Sequence, residues 1–249
     1  MIKRIREALL ALCMALSLAH VPALAQVTIG KCGRNVYYSY DASTKALTIT
    51  GTGDMASYEI SLPAPWKSFR EEIKNVSIAS SVTGIGSYAF YSCRGLTSVT
   101  IPNGVASIGE SAFNECYNLE HITIPDSVTS IGDKAFYLTA YYVERTNREN
   151  GVLYIGNHLI KAFDISGEYE IKSGTKTIAE AALNWCNGLT GITIPDSVTD
   201  IGDDAFSNCE GLTSVTIPNS VKSIGNGAFD NCTGLTSVTI PNSVTSIGD

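Results

Sequence analysis

Residues 198–218 read VTDIGDDAFSNCEGLTSVTIP, and residues 221–241 repeat them almost unchanged as VKSIGNGAFDNCTGLTSVTIP. The same pattern starts at Val82 and Val105 and, more weakly, at Thr175, so the period is 23 residues. Self-similarity at such a period predicts a solenoid, because one short unit cannot bury its apolar face alone and is stabilised by stacking on its neighbours.

Eight positions of the unit are apolar. In the first full repeat they are Val82, Ile85, Ala89, Phe90, Cys93, Leu96, Val99 and Ile101. Alternation through Val99 and Ile101 predicts a half-buried strand. Ala89, Phe90 and Cys93 share one face of a helical turn over residues 87–93. Ser87, Glu110, Asp133, Glu180, Asp203 and Asn226 mark its start, where Ser, Asp and Asn cap a helix and Glu favours its dipole. Gly95, Asn118, Gly188, Gly211 or Gly234 follows two residues after the cysteine, as a left-handed helix end requires. Pro-Asn or Pro-Asp after the strand reads as a tight turn.

The unit resembles the BspA-like leucine-rich repeats of bacterial surface proteins, with the pattern V-x-x-I-G-x-x-A-F-x-x-C-x-x-L-x-x-V-x-I-P from Val82 onward, interrupted once. The usual Asn after the strand is missing; Gly104 or Ser127 stands there. The resemblance implies an α/β repeat solenoid, a BspA-type right-handed leucine-rich-repeat coil of short strands and short helical turns. It also implies an N-terminal β-rich cap, since Cys32-Gly33, residues 47–53 and Pro65-Trp66 match elements that precede such repeats. The function it implies is adhesion, to host extracellular-matrix proteins or to other bacteria.

The organisation expected is a signal peptide over 1–25, the cap over 26–74, repeats over 75–136, a remodelled repeat over 137–169 and repeats again over 170–249. Lys3, Arg4 and Arg6 precede an apolar run and an Ala23-Leu24-Ala25 cleavage site. A lipoprotein reading at Cys13 is weaker, because Leu12 stands where a small residue is wanted. Removing 1–25 takes the formal charge from −7 to −9, because Lys3, Arg4, Arg6 and Glu7 leave with it. An acidic exported chain is a poor nucleic-acid binder, and no further stretch is long enough to span a membrane. The expected location is therefore secreted or at the cell surface.

Within the cap, NVYYSY and ALTITGTG read as strands around DASTK, and KSFREEI as a helical turn. Trp66 is either packing or an aromatic ligand platform, with packing favoured. In the remodelled repeat, VLYI and HLIK flank Gly156-Asn157 as a hairpin. Residues 137–150 form a projecting loop or a surface connection. Five cysteines share one repeat position, which favours a buried thiol ladder over disulfides.

No catalytic constellation is present. His121 and His158 have no nucleophile partner at motif level, the cysteine spacing does not suit zinc, and the turn residues lack the calcium-solenoid pattern. No cofactor or metal is called for. The leading function is a non-catalytic binding module for a protein or glycan partner; the alternative is a passive array that spaces other domains. The candidate contact residues are the outward strand positions Thr97, Thr100, Glu120, His121, Thr123, Thr190, Thr193, Thr213 and Thr216. Trp185 joins them, sitting where other repeats are polar, as do Tyr141 and Tyr142 of the insertion.

Overall fold

In the computed structural model, which describes residues 27–249, every apolar position of the first repeat turns inward. Val82, Ile85, Ala89, Phe90, Cys93, Leu96, Val99 and Ile101 are all buried. The proposed leader over 1–25 lies outside the described residues. The chain winds through about seven turns of a β-solenoid.

Two ribbons of parallel strands run along it. The first stacks Ser98–Thr100 on His121–Thr123, and resumes as Gly167–Glu170, Leu189–Thr193, Ser214–Thr216 and Val238–Thr239. The second is built from the VTSIG segments: Gly53–Asp54, Val82–Ile85, Ser107–Ile108 and Ser130–Ile131, then Thr177–Ile178, Asp200–Ile201, Ser223–Ile224 and Ser246–Ile247. Register pairs Ile108 with Ile131 and Ile201 with Ile224, one period apart. Equivalent residues therefore stack, and each apolar position becomes a continuous column of the core. The column of rings runs Trp66, Phe90, Phe113, Phe136, with successive centroids 5.7, 5.0 and 5.5 Å apart.

The third side corrects the expected α/β class. Among the described residues helix is confined to a few short pieces, and residues 87–92 are consecutive turns. Tyr88 and Ser92 have φ of 54° and 58°; so do their counterparts Ser111 and Glu115, Lys134 and Leu138, Ala181 and Trp185, and Asp204 and Asn208, within 51–66°. The reason lies in where the N–H groups point. Tyr91 and Cys93 donate to Tyr88 O and Phe90 O within the coil, whereas Tyr88, Phe90 and Ser92 donate to Glu110 O, Ala112 O and Asn114 O of the next coil at 2.8–2.9 Å. A helix spends all its interior N–H groups within its own turn. Here every second one is spent on the neighbouring coil, which requires a left-handed residue at alternate bends.

The supposed helix caps do another job. Asp203 Oδ1 accepts from Asn226 N at 2.8 Å, and Asn226 Oδ1 accepts from Asp249 N at 3.2 Å, so these side chains tie one coil to the next. The glycines two residues past each cysteine are not left-handed either. A Cβ on Gly95 would meet Glu71 O and Ile73 O at 2.6 Å, so what the position lacks is room. Asn118 fits there by donating its side-chain amide to Arg94 O at 2.7 Å. Among the described residues no asparagine ladder follows the strands. Ser81 and Ser127 hydroxyls instead donate to Gly51 O and Val105 O of the preceding turn, at 2.5 and 2.9 Å.

The N-terminal segment forms the two expected strands, Val36–Asp41 and Ala46–Gly51, plus an unforeseen one, Val27–Lys31. All three are antiparallel to their neighbours in the meander, and Ala46–Gly51 passes in parallel to Asn75–Ile78. KSFREEI gives one 3-10 turn, Arg70–Glu72. Trp66 is packing: it is 1% exposed, stacks on Phe90, and donates its indole N–H to Ala89 O at 2.9 Å.

The 152–162 hairpin forms as read. Val152–Ile155 and His158–Ala162 are antiparallel around Gly156, whose φ of 59° suits the first position of a type II′ turn. His158 is fully buried, and its Nε2–H donates to Pro125 O at 3.1 Å, so burial holds the ring neutral and its pKa below the ordinary value. Residues 137–150 do not project. They contain the short helix Ala140–Val143 and a 3-10 turn, Arg145–Asn147, laid back on the hairpin.

All six cysteines of the described residues are buried free thiols. Cys116, Cys209 and Cys232 donate S–H to the carbonyls of Phe90, Leu183 and Phe206 at 3.1–3.2 Å. Burial pushes Cys32 and Cys116 up to about 12, from an ordinary 9.0. The folded state thus favours the neutral thiol. That stabilisation is complete below about pH 9 and is lost as pH rises from there toward 12. The urea midpoint is expected to fall above pH 9, and to fall less in a Cys93→Ala/Cys116→Ala variant. A thiol reagent at pH 8 should label Cys32, Cys93 and Cys116 only as the chain unfolds.

Candidate binding surface and family

The strand face forms as the alternation requires. Thr97, Thr100, Glu120, His121, Thr123, Thr190, Thr193, Thr213 and Thr216 are all exposed, while Val99 and Val215 between them are buried. Register places Ser98 beside His121, Thr100 beside Thr123, and Thr193 beside Thr216. Thr213 is tied down: both its N–H and its hydroxyl donate to Thr190 O, at 3.0 and 2.9 Å. The face is divided into two patches. Residues 97–123 form one and 190–216 the other, because the remodelled coil supplies no strand of the ribbon between His121–Thr123 and Gly167–Glu170.

The other candidates lie elsewhere. Tyr141 donates its N–H to Leu119 O at 2.9 Å and its hydroxyl to Tyr154 O at 3.1 Å. Tyr142 packs edge-on against Tyr137 and Phe163, and burial pushes its phenol up to about 12. Both are half-buried and brace the insertion. Trp185 is 65% exposed and belongs to the turn side, away from the strand ribbon. Its backbone is fixed by φ of 66° and by donation to Ser207 O at 3.0 Å, so the indole is a rigidly mounted apolar projection.

Two broad polar grooves, of about 400 and 410 Å³, lie on the VTSIG ribbon, which sequence reading did not single out. Glu180 lines both, between Glu110 and Asp133 on one side and Asp203 on the other. Its carboxylate accepts from Asp133 N at 3.0 Å, and burial raises its pKa. The signal was present in the sequence as the row of Ser, Asp and Glu that resembled helix caps. Among the described residues no group of three or more His, Cys, Asp or Glu side chains is placed to hold a metal ion. None of their helices is long and apolar enough to cross a membrane.

The comparisons agree with the repeat. The model of the BspA type leucine rich repeat region matches in six copies, over residues 67–168 and 155–249. Similar solved chains include a leucine-rich repeat protein from Eubacterium ventriosum, 22% identical, with 89% of this chain and 94% of that one covered and a TM-score of 0.39. A leucine rich cell surface protein from Faecalibacterium prausnitzii is 18% identical, with 89% and 94% covered and a TM-score of 0.33. The pneumococcal vaccine antigen PcpA is 18% identical, with 89% and 78% covered and a TM-score of 0.42. No curated protein matches the chain. Six in-register copies of the repeat, covering the chain from residue 67 to its last residue, place this protein in the BspA-type leucine-rich-repeat family.

Proposed function

We propose that this chain is an exported, non-catalytic binding and adhesion module that holds a protein or glycan partner at the cell surface. The observation that carries the reading is the exposed polar ladder, held in fixed register by parallel pairing over two stretches, Ser98 to Thr123 and Gly167 to Thr239. Extended solenoid faces of this kind suit partners that contact several repeats at once. Membership of a repeat family known from bacterial surface proteins supports the location. In this reading 1–25 is the leader, 26–74 closes the first coil, and the repeats of 75–136 and 170–249 flank the remodelled 137–169. Glu120 and His121 break the threonine regularity, Tyr141 and Tyr142 contribute through the insertion they brace, and Trp185 adds an apolar contact on the turn side.

Binding of the chain to a panel of matrix proteins and glycans tests this. Saturable binding to at least one member is expected. Absence of binding across the panel, with the chain folded, would favour a passive spacer instead.

A further inference from the structure

A pocket of about 230 Å³ lies where the N-terminal cap meets the turn side of the first full coil. Residues from 59 to 70 line one side of it, and Tyr88 and Tyr91 the other. Both phenols are tied to the next coil. Tyr88 donates to Glu110 at 2.9 Å and Tyr91 to Glu115 at 2.6 Å, so the two rings are fixed walls, 5.7 Å apart and tilted by 56°.

The charges around the pocket divide into engaged and free. Glu72 pairs with Lys45, and Glu71 and Glu115 pair with Arg94. Among the described residues Arg70 and Lys67, which line the pocket, meet no carboxylate. The Arg70 guanidinium lies over the Tyr91 ring, 5.5 Å from its centroid, which holds it at the wall while its N–H fork stays unpaired. One acid also lines the pocket: Glu59, exposed, whose carboxylate accepts from the Ser61 hydroxyl at 3.2 Å within its own loop.

We propose that this pocket takes the terminal acidic sugar of a glycan, a single ring that carries a carboxylate and several hydroxyls. The volume is below the roughly 300 Å³ of pockets that hold drug-sized ligands, which limits the occupant to about one ring. Arg70 and Lys67 call for a carboxylate, which the planar guanidinium can grip with two parallel bonds. Glu59 calls for hydroxyl donors on the same ligand. Tyr88 and Tyr91 offer the negative faces of their rings to the C–H face of a sugar. A neutral sugar would leave the two cations unanswered, and a plain aromatic acid would bring Glu59 no donor. The inference rests on the reading of the chain as a binding module and narrows the partner to a glycan, but it does not use the strand face.

The test is titration of the folded, isotope-labelled chain with methyl glucuronide and a methyl sialoside, with methyl glucoside and benzoate beside them, followed by amide shifts in NMR. At least one acidic sugar is expected to give saturable shifts centred on residues 59–70 and 88–91, with affinity at least tenfold above that of the glucoside and benzoate. Arg70→Met, which keeps an apolar stem on Tyr91, should weaken it at least tenfold. Lys67→Gln and Glu59→Gln, both at exposed positions, should each weaken it severalfold at an unchanged unfolding midpoint, so the test stands even if Arg70→Met folds poorly. Thr213→Lys/Thr216→Lys should leave it unchanged. An oligosaccharide ending in the preferred sugar should bind at least as tightly as the methyl glycoside; tenfold weaker binding would make a free acid the ligand and overturn the glycan. Absence of saturable shifts at the pocket with both acidic sugars would overturn the proposal, as would benzoate binding as tightly, or affinity unchanged by both Lys67→Gln and Glu59→Gln. The titration reads the amides of the pocket alone, so its failure is distinct from a failure of the chain to bind any member of the matrix and glycan panel.

Discussion

Replacing Trp66 by alanine is expected to cost about 3–5 kcal/mol of stability, read as a lower urea midpoint. The indole is buried among Tyr38, Phe90 and Tyr58, with centroids at 5.4, 5.7 and 6.1 Å, so its removal leaves a cavity between these rings. Ala89 O also loses the indole N–H that satisfies it at 2.9 Å. The loss should be uneven. Amide protection is expected to fall first across residues 27–78 and the first full coil, because each coil of a solenoid is held mainly by its neighbours. Trp66→Phe restores the stack but not the hydrogen bond, and should recover about half of the lost stability.

Phe113→Ala is the second large effect, again about 3–5 kcal/mol by chemical denaturation. Phe113 is fully buried and stacks on two rings, Phe90 at 5.0 Å and Phe136 at 5.5 Å. Phe229 stacks only on Phe206, at 5.1 Å, and is partly exposed, so Phe229→Ala should cost clearly less. The chain itself shows which replacement is tolerable. Leu183 occupies the same position in its coil and is fully buried. Phe113→Leu should therefore cost under about 1.5 kcal/mol, since a similar apolar volume is kept.

Much of this architecture is legible in the chain because a 23-residue period forces equivalent side chains into columns. Val82, Ile85 and Phe90 could be placed inside, and Thr97 and Thr100 outside, from alternation and recurrence alone. The turn side was misread for a physical reason. Ala89, Phe90 and Cys93 have a spacing that suits a helix and serves a run of tight bends equally well. The left-handed positions are held by Tyr88, Ser92, Glu115 and Trp185, residue types that rarely adopt positive φ. Neighbouring coils over-determine that conformation, and a local propensity does not record it. Asp203 and Asn226 likewise have the composition of helix caps, yet their acceptors serve the next coil. Exposure of the strand-face candidates could be foreseen; the half-burial of Tyr141 and Tyr142 could not, since it depends on the insertion folding back onto the hairpin.

The measurement that most directly tests the binding reading is the affinity of a Thr213→Lys/Thr216→Lys/His121→Lys variant for the partner found in the panel. The three side chains are exposed and lie on both patches of the strand face, so the unfolding midpoint should stay within a few degrees of the parent. The account predicts at least tenfold weaker binding, about 1.4 kcal/mol. Unchanged affinity in a variant of unchanged stability would contradict it and remove the strand face from the function of this protein.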